Sequence, residues 1–129
     1  MTIPPTALPY TIHTNRELGM MLRGAKPLAC FSDVYGTFPV AVLRYLRLFD
    51  RHVYAGRFVK CEYVTIQKGQ PHRLHVILYA LSTEQWRVDA MIELRARLVW
   101  SEACERREGE LLGYGDLEND LWMTQFASS

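Results

Sequence analysis

The stretch from Arg57 to Leu81 constrains this chain most. Arg57 to Ile66 is rich in β-branched and aromatic residues, Lys68-Gly69-Gln70-Pro71 reads as a turn, and Leu74 to Leu81 is a second apolar run. Two such runs around a turn-bearing loop predict an antiparallel hairpin. The second run offers Leu74, Val76, Leu78 and Ala80 to one face and His75, Ile77 and Tyr79 to the other. A strand apolar on both faces belongs inside a sheet, not on its edge. Leu28-Ala29-Cys30-Phe31 is a further short apolar run. It leads into the turn-like Ser32-Asp33-Val34-Tyr35-Gly36 and supplies a candidate neighbouring strand near 28–32.

Helical spacing surrounds these strands. Val42, Tyr45, Leu46, Phe49 and Val53 recur at i, i+3, i+4, i+7 and i+11, while Arg44, Arg47 and Arg51 take another face. That is an amphipathic helix over about 38–55, with Thr37 as its expected cap, Pro39 in its first turn and Gly56 as its stop. Thr14-Asn15-Arg16-Glu17 has the spacing of a capping box and precedes Leu18, Met21, Leu22 and then Gly24, so a helix is expected over about 14–23. Pro27 ends any continuation.

Trp86 to Trp100 carries two patterns. Every even position is apolar and the odd ones are mostly charged, which is strand periodicity. Against it, Ser82 and Gln85 have capping-box spacing, Leu81 and Trp86 can staple across it, and the residues that follow are strong helix formers. Fifteen residues would also make a long strand. A helix over about 83–100, buried on much of its circumference, is the expectation. A helical stretch near Ser101–Leu112 follows, then a break at Gly113-Tyr114-Gly115. A last helix over about 116–125, capped by Asp116, contains Leu117, Leu121 and Trp122. Pro4, Pro5 and Pro9 make residues 1–13 an extended arm. The prediction is therefore an α+β domain over 14–129, with a helix layer against a small, mainly antiparallel sheet.

The 129 residues suffice for one domain with its own core. Cys30, Cys61 and Cys104 are odd in number and widely spaced, which suits reduced thiols in the cytoplasm. Residues 1–13 lack the basic start and apolar core of a signal peptide, and no stretch approaches the ~20 apolar residues of a membrane span. The net charge of +1 gives no overall pull toward polyanions or membranes. Charge is nonetheless segregated: Arg44 to His75 holds seven Arg or Lys against two acids, and Glu102 onward holds seven acids against two Arg. Blocks of opposite sign can dock on each other within or between chains.

Candidate chemistry is sparse. His72 and His75 straddle a turn and a strand start with no Cys or acid at ligand spacing, short of the three or four ligands zinc needs, so no metal is assigned. Cys30 with Asp33 and a distant histidine is a conceivable nucleophile set, but Cys30 sits in an apolar run where cysteine packs as a small hydrophobe. Cys61 lies in a presumed strand. No glycine-rich phosphate cradle is present, and Gly113-Tyr114-Gly115-Asp116 has an acidic neighbourhood that opposes anions. No catalytic residue and no cofactor is assigned.

Three binding readings remain. The leading one is a non-enzymatic interaction domain, a homodimer or bound to one protein partner, with Arg44, Arg47, Arg51 and Trp122 as candidate contacts, because Trp and Arg dominate interface energetics. The second is a small-ligand or catalytic pocket where Asp33, Tyr35, His75 and Tyr79 converge. The third is a single-stranded nucleic-acid surface on the Arg44/Arg47/Arg51 stripe, continued by Arg57, Lys60, Lys68 and Arg73 and interleaved with Tyr45, Phe58, Tyr63 and Tyr79.

Overall fold

The computed structural model describes residues 16–66 and 69–114. The proline-rich arm, Thr14, and the expected helix at 116–125 with Trp122 lie outside the described residues. In chain order the elements are α1 (Glu17–Leu22), β1 (Leu28–Val34), α2 (Val40–Tyr54), β2 (Phe58–Ile66), β3 (Arg73–Leu81), a 3₁₀ turn (Ser82–Glu84), α3 (Trp86–Arg95) and α4 (Glu102–Leu111). The fold is α+β.

The strand that is apolar on both faces, β3, is the centre of an antiparallel three-stranded sheet ordered β1-β3-β2. It pairs with β1 in a register that sets Cys30 opposite Leu78 and Asp33 opposite His75. With β2 it sets Lys60 opposite Tyr79 and Cys61 opposite Leu78. Its two faces meet different helices. Val76, Leu78 and Ala80 pack with Leu28 against Val88, Met91 and Leu94 of α3 and Cys104 and Leu111 of α4. Ile77 and Tyr79 pack with Ala29 and Phe31 against Leu46 and Phe49 of α2 and Met21 of α1. Helices therefore lie on both sides of the sheet, where the sequence reading placed one helix layer. The cause is β3 itself, since a strand apolar on both sides leaves hydrocarbon in water unless both are covered.

Phe49 sits at the centre of the α2 side. Its ring lies 5.4 Å from Phe31, 5.0 Å from Tyr45 and 4.7 Å from Tyr79 by centroid, within the range of favourable edge and offset contacts. Tyr45 also ties α1 to α2: its hydroxyl accepts the Leu18 N–H at 2.9 Å and donates to Glu17 Oε1 at 3.3 Å. Burial pushes that hydroxyl up to about 12.

The helix starts differ in detail from the sequence expectation. Pro39, not Thr37, is the N-cap residue of α2. The Thr37 hydroxyl instead donates to Asp33 Oδ1 and to the Val34 carbonyl, closing the turn after β1. Ser82 does not cap α3; its hydroxyl donates to the Gly56 carbonyl at 2.6 Å, and the helix begins only at Trp86 after a 3₁₀ turn. Helix α3 ends at Arg95 instead of running to 100, and a second helix restarts behind Ser101, whose hydroxyl accepts the Cys104 N–H at 3.3 Å.

The C-terminal end of α4 is held by two cations. Lys26, which is buried, donates to the Leu112 carbonyl at 3.0 Å, and Arg87 donates to the Glu110 and Leu111 carbonyls at 2.9 and 3.1 Å. Positive charge at that end satisfies unpaired carbonyls and opposes the negative pole of the helix. Among the described residues, no helix is long and apolar enough to cross a membrane.

Candidate functional site

The residues singled out for a pocket divide into two places on the α2 side of the sheet. Asp33, Tyr35 and His75 gather at one end. The Tyr35 ring stands 5.7 Å from the His75 ring, and Phe38 crosses the imidazole edge-on at 5.2 Å. Arg73 lies over Tyr35 at 4.5 Å. The Asp33 carboxylate turns back on its own loop, accepting from the Val34 N–H at 2.8 Å and from Thr37. His75 meets Glu62 instead, with Nε2 and Oε2 2.6 Å apart.

Tyr79 is buried farther along the strand, and its hydroxyl donates to Asp50 Oδ1 at 2.7 Å. Burial, with Asp50 adding to it, pushes that hydroxyl well above its ordinary range. Lys60 joins the two places, 3.0 Å from Asp50 and 3.8 Å from Glu62. Tyr79, Asp50, Lys60, Glu62 and His75 thus form one polar chain along the side of the sheet bounded by β2. Each partner's charge or hydrogen is already met within that chain.

The arginine stripe is where helical spacing puts it: Arg44, Arg47 and Arg51 are exposed on α2, and none forms an ion pair with the described residues. The aromatics meant to interleave with it are elsewhere. Phe58 and Tyr79 are buried, Tyr45 packs against the α2-side core, and Tyr63 belongs to the opposite face of the sheet. The described acids of α4 do not reach the stripe either. Glu108 pairs with Arg95, and Glu110 with Arg107.

A cleft of about 710 Å³ opens on the other face, between the turn end of the β2–β3 hairpin and the segment joining α3 to α4. Tyr63, Thr65, Ile66 and Leu74 come from the hairpin; Ile92 and Arg95 come from α3; Leu98 and Trp100 come from the connecting segment. Its floor is ionic. Arg95 and Glu108 are paired at 3.4 Å, each about four-fifths buried. Glu105, which is buried, accepts a hydrogen bond from the Trp100 indole. Burial raises the Glu108 carboxyl above its ordinary value; Arg95 opposes this and the neighbouring Glu105 adds to it. The floor thus combines the Arg95–Glu108 pair with a second carboxylate, Glu105, close to Glu108, and carboxylates are acceptors for a donor from outside.

The rim is apolar. Leu98 is 90% exposed at the cleft, and Val99, next to it and outside the lining, is 77% exposed. Three successive apolar residues in a connecting segment, with two of them almost bare, leave hydrocarbon in water that the fold does not cover.

The thiols near this site are poorly suited to attack. Cys30 lies beside the floor, and burial drives it up to about 11 against the pull of Arg95. Burial raises Cys61 as well. Cys104 is lowered by hydrogen bonds from Ser101, yet it is packed in the core with 3% of its surface exposed. A nucleophilic thiol needs both the thiolate and access. All three cysteines are unpaired. Among the described residues, no cluster of three or more His, Cys, Asp or Glu is placed to hold a metal ion.

Sequence reasoning did not find the cleft. The one signal was Leu98-Val99-Trp100, an apolar triplet that helical spacing absorbed into a longer α3. Tyr63, Arg95, Glu105 and Glu108 come from three elements and share no local motif. Comparisons with protein-family models, with curated proteins and with solved structures find no match to this chain.

Proposed function

We propose that this chain is a non-enzymatic interaction domain that holds a segment of a protein partner in the cleft between the hairpin and the α3–α4 connection. The observation that carries the reading is the exposed Leu98, with Tyr63, Leu74 and Trp100 beside it, above the Arg95–Glu108 and Glu105 floor. A polar floor under an apolar rim suits a segment that lays a large apolar side chain against Leu98 and Leu74 and points a donor, an amide or ammonium, at the glutamates. The apolar surface spreads beyond the cleft onto Val99, a larger contact than a small molecule requires. The three unpaired cysteines suit a reducing compartment such as the cytoplasm.

The test is selection of displayed random peptides on the folded protein, followed by binding to Leu98→Asp and Val99→Asp variants. Both positions are exposed, so the variants are expected to melt within about 0.5 kcal/mol of the parent. The reading predicts enriched peptides that share an apolar anchor and bind the variants at least about tenfold more weakly, one lost anchor contact being worth more than about 1.4 kcal/mol. Peptides that bind parent and variants alike would remove the cleft from the account.

The arginine stripe supports a second reading, because its guanidinium groups are exposed and form no ion pair among the described residues. A mixed-sequence single strand that is retarded at low salt, and loses retardation in an Arg44/Arg47/Arg51→Ala triple variant, would favour it.

A further inference from the structure

The outer edge of β2 has the features of a self-complementary strand. Its nine residues pair with β3 without interruption, and among the described residues no other strand pairs on its far side. Such an edge presents a row of N–H and C=O groups to whatever strand can match it. Lys60, Glu62 and Val64 project to the α2 side of the sheet, with Phe58; Val59, Cys61 and Tyr63 project to the α3–α4 side.

Two copies of one strand can pair antiparallel only about a two-fold axis normal to the sheet. That axis keeps like faces together, so a residue meets only residues of its own face. Under this rule Lys60 meets Glu62 of the other copy in one register alone, the one centred on Cys61. A centre at Lys60 sets lysine against lysine, and a centre at Glu62 sets glutamate against glutamate. A centre at Tyr63 leaves both charges opposite valine or isoleucine.

The Cys61-centred register makes two Lys60–Glu62 pairs per dimer, two Val59–Tyr63 pairs and two Phe58–Val64 pairs. It pairs Phe58 through Val64, seven of the nine residues of the strand, with the same span of the other copy. It also covers Val64, which is 42% exposed in the single chain. Lys60 and Glu62 already lie 3.8 Å apart within one copy, so the pairing would close a four-membered alternating charge cluster across the axis.

We infer that β2 is a homodimer edge and that two copies join through it, in the Cys61-centred register, into one six-stranded sheet. This rests on the strand and its charges, not on the cleft. It predicts a dimer of the full chain by sedimentation equilibrium. Lys60→Glu and Glu62→Lys should each raise the dimer dissociation constant at least about tenfold by setting two like-charge pairs across the axis. An equimolar mixture of the two variants should recover a dimer containing one of each, because every cross-axis pair is then opposite in sign.

Mild oxidation of the parent gives a second readout that does not depend on charge variants folding. Opposed residues in an antiparallel pair have Cα atoms about 4.5–5.5 Å apart, within reach of a disulfide. A covalent dimer that Cys61→Ala abolishes, and that Cys30→Ala and Cys104→Ala do not, supports the register. A monomeric parent, a dimer indifferent to both charge reversals, or a cross-link that persists without Cys61 would each overturn it.

Discussion

Gly113 and Gly24 both take a positive φ, +91° and +74°, at the ends of helices, yet they should respond very differently to the same substitution. A Cβ on Gly24 would meet nothing within 4 Å. Gly24→Ala is therefore expected to cost only the strain of the left-handed backbone, on the order of 1 kcal/mol. A Cβ on Gly113 would lie 2.3 Å from Cδ of Pro27, a ring that cannot swing aside. Gly113→Ala should cost about 2 kcal/mol more than Gly24→Ala in parallel urea unfolding. Equal losses would mean that Pro27 does not hold the end of α4 in place.

A second residue-scale consequence concerns Glu108. Its folded-state carboxyl is held above the ordinary value of 4.5, so between those two values the folded chain binds the proton more tightly than the unfolded one. That contribution to stability is present at low pH and lost as pH rises through the folded value. The stability of the parent relative to Glu108→Gln should therefore decline as pH rises from about 4 to 7, read from urea midpoints at each pH. A difference that grows with pH would mean that Arg95 outweighs burial at this carboxylate.

The elements show where local pattern was a sufficient guide and where it was not. The 3.6-residue period of α2 and the two apolar runs of the hairpin read directly, because each is long and buries a continuous face. Trp86 to Trp100 did not read cleanly. The even-position alternation reflects a helix buried on Val88, Met91 and Leu94, with Ala90 and Ile92 also packed on the core, followed by a connection where alternation has no structural meaning. The two failed caps have different causes: the Thr37 hydroxyl closes a local turn onto Val34, three residues back, whereas that of Ser82 meets Gly56, which only the folded chain brings close. Ser101 does cap. Ser101→Ala should cost about 1 kcal/mol of stability by thermal unfolding, and the cleft should loosen with it because the cap fixes where the α3–α4 segment ends.

At the scale of the whole molecule, the sheet is a partition. One side holds the ring cluster of Phe31, Tyr45, Phe49 and Tyr79 with the polar chain from Asp50 to His75 beside it; the other holds α3, α4 and the cleft. Phe49→Ala should cost about 3–5 kcal/mol, the range for removing a fully buried phenylalanine, and should unfold both sides together if they share one core strand. The α+β class was legible because β3 announces its own central place. The cleft was not, because its floor and rim come from β2, α3, α4 and the connection between them, and their convergence exists only in three dimensions.

The measurement that bears most directly on the proposed binding cleft is a heteronuclear NMR titration of the labelled full chain with the tightest selected peptide. The Trp100 indole N–H, hydrogen-bonded to Glu105, should shift first, together with the amides of 63–66 and 95–101, while those of α2 stay in place. Shifts confined to α2 and the arginine stripe, with Trp100 unmoved, would contradict it.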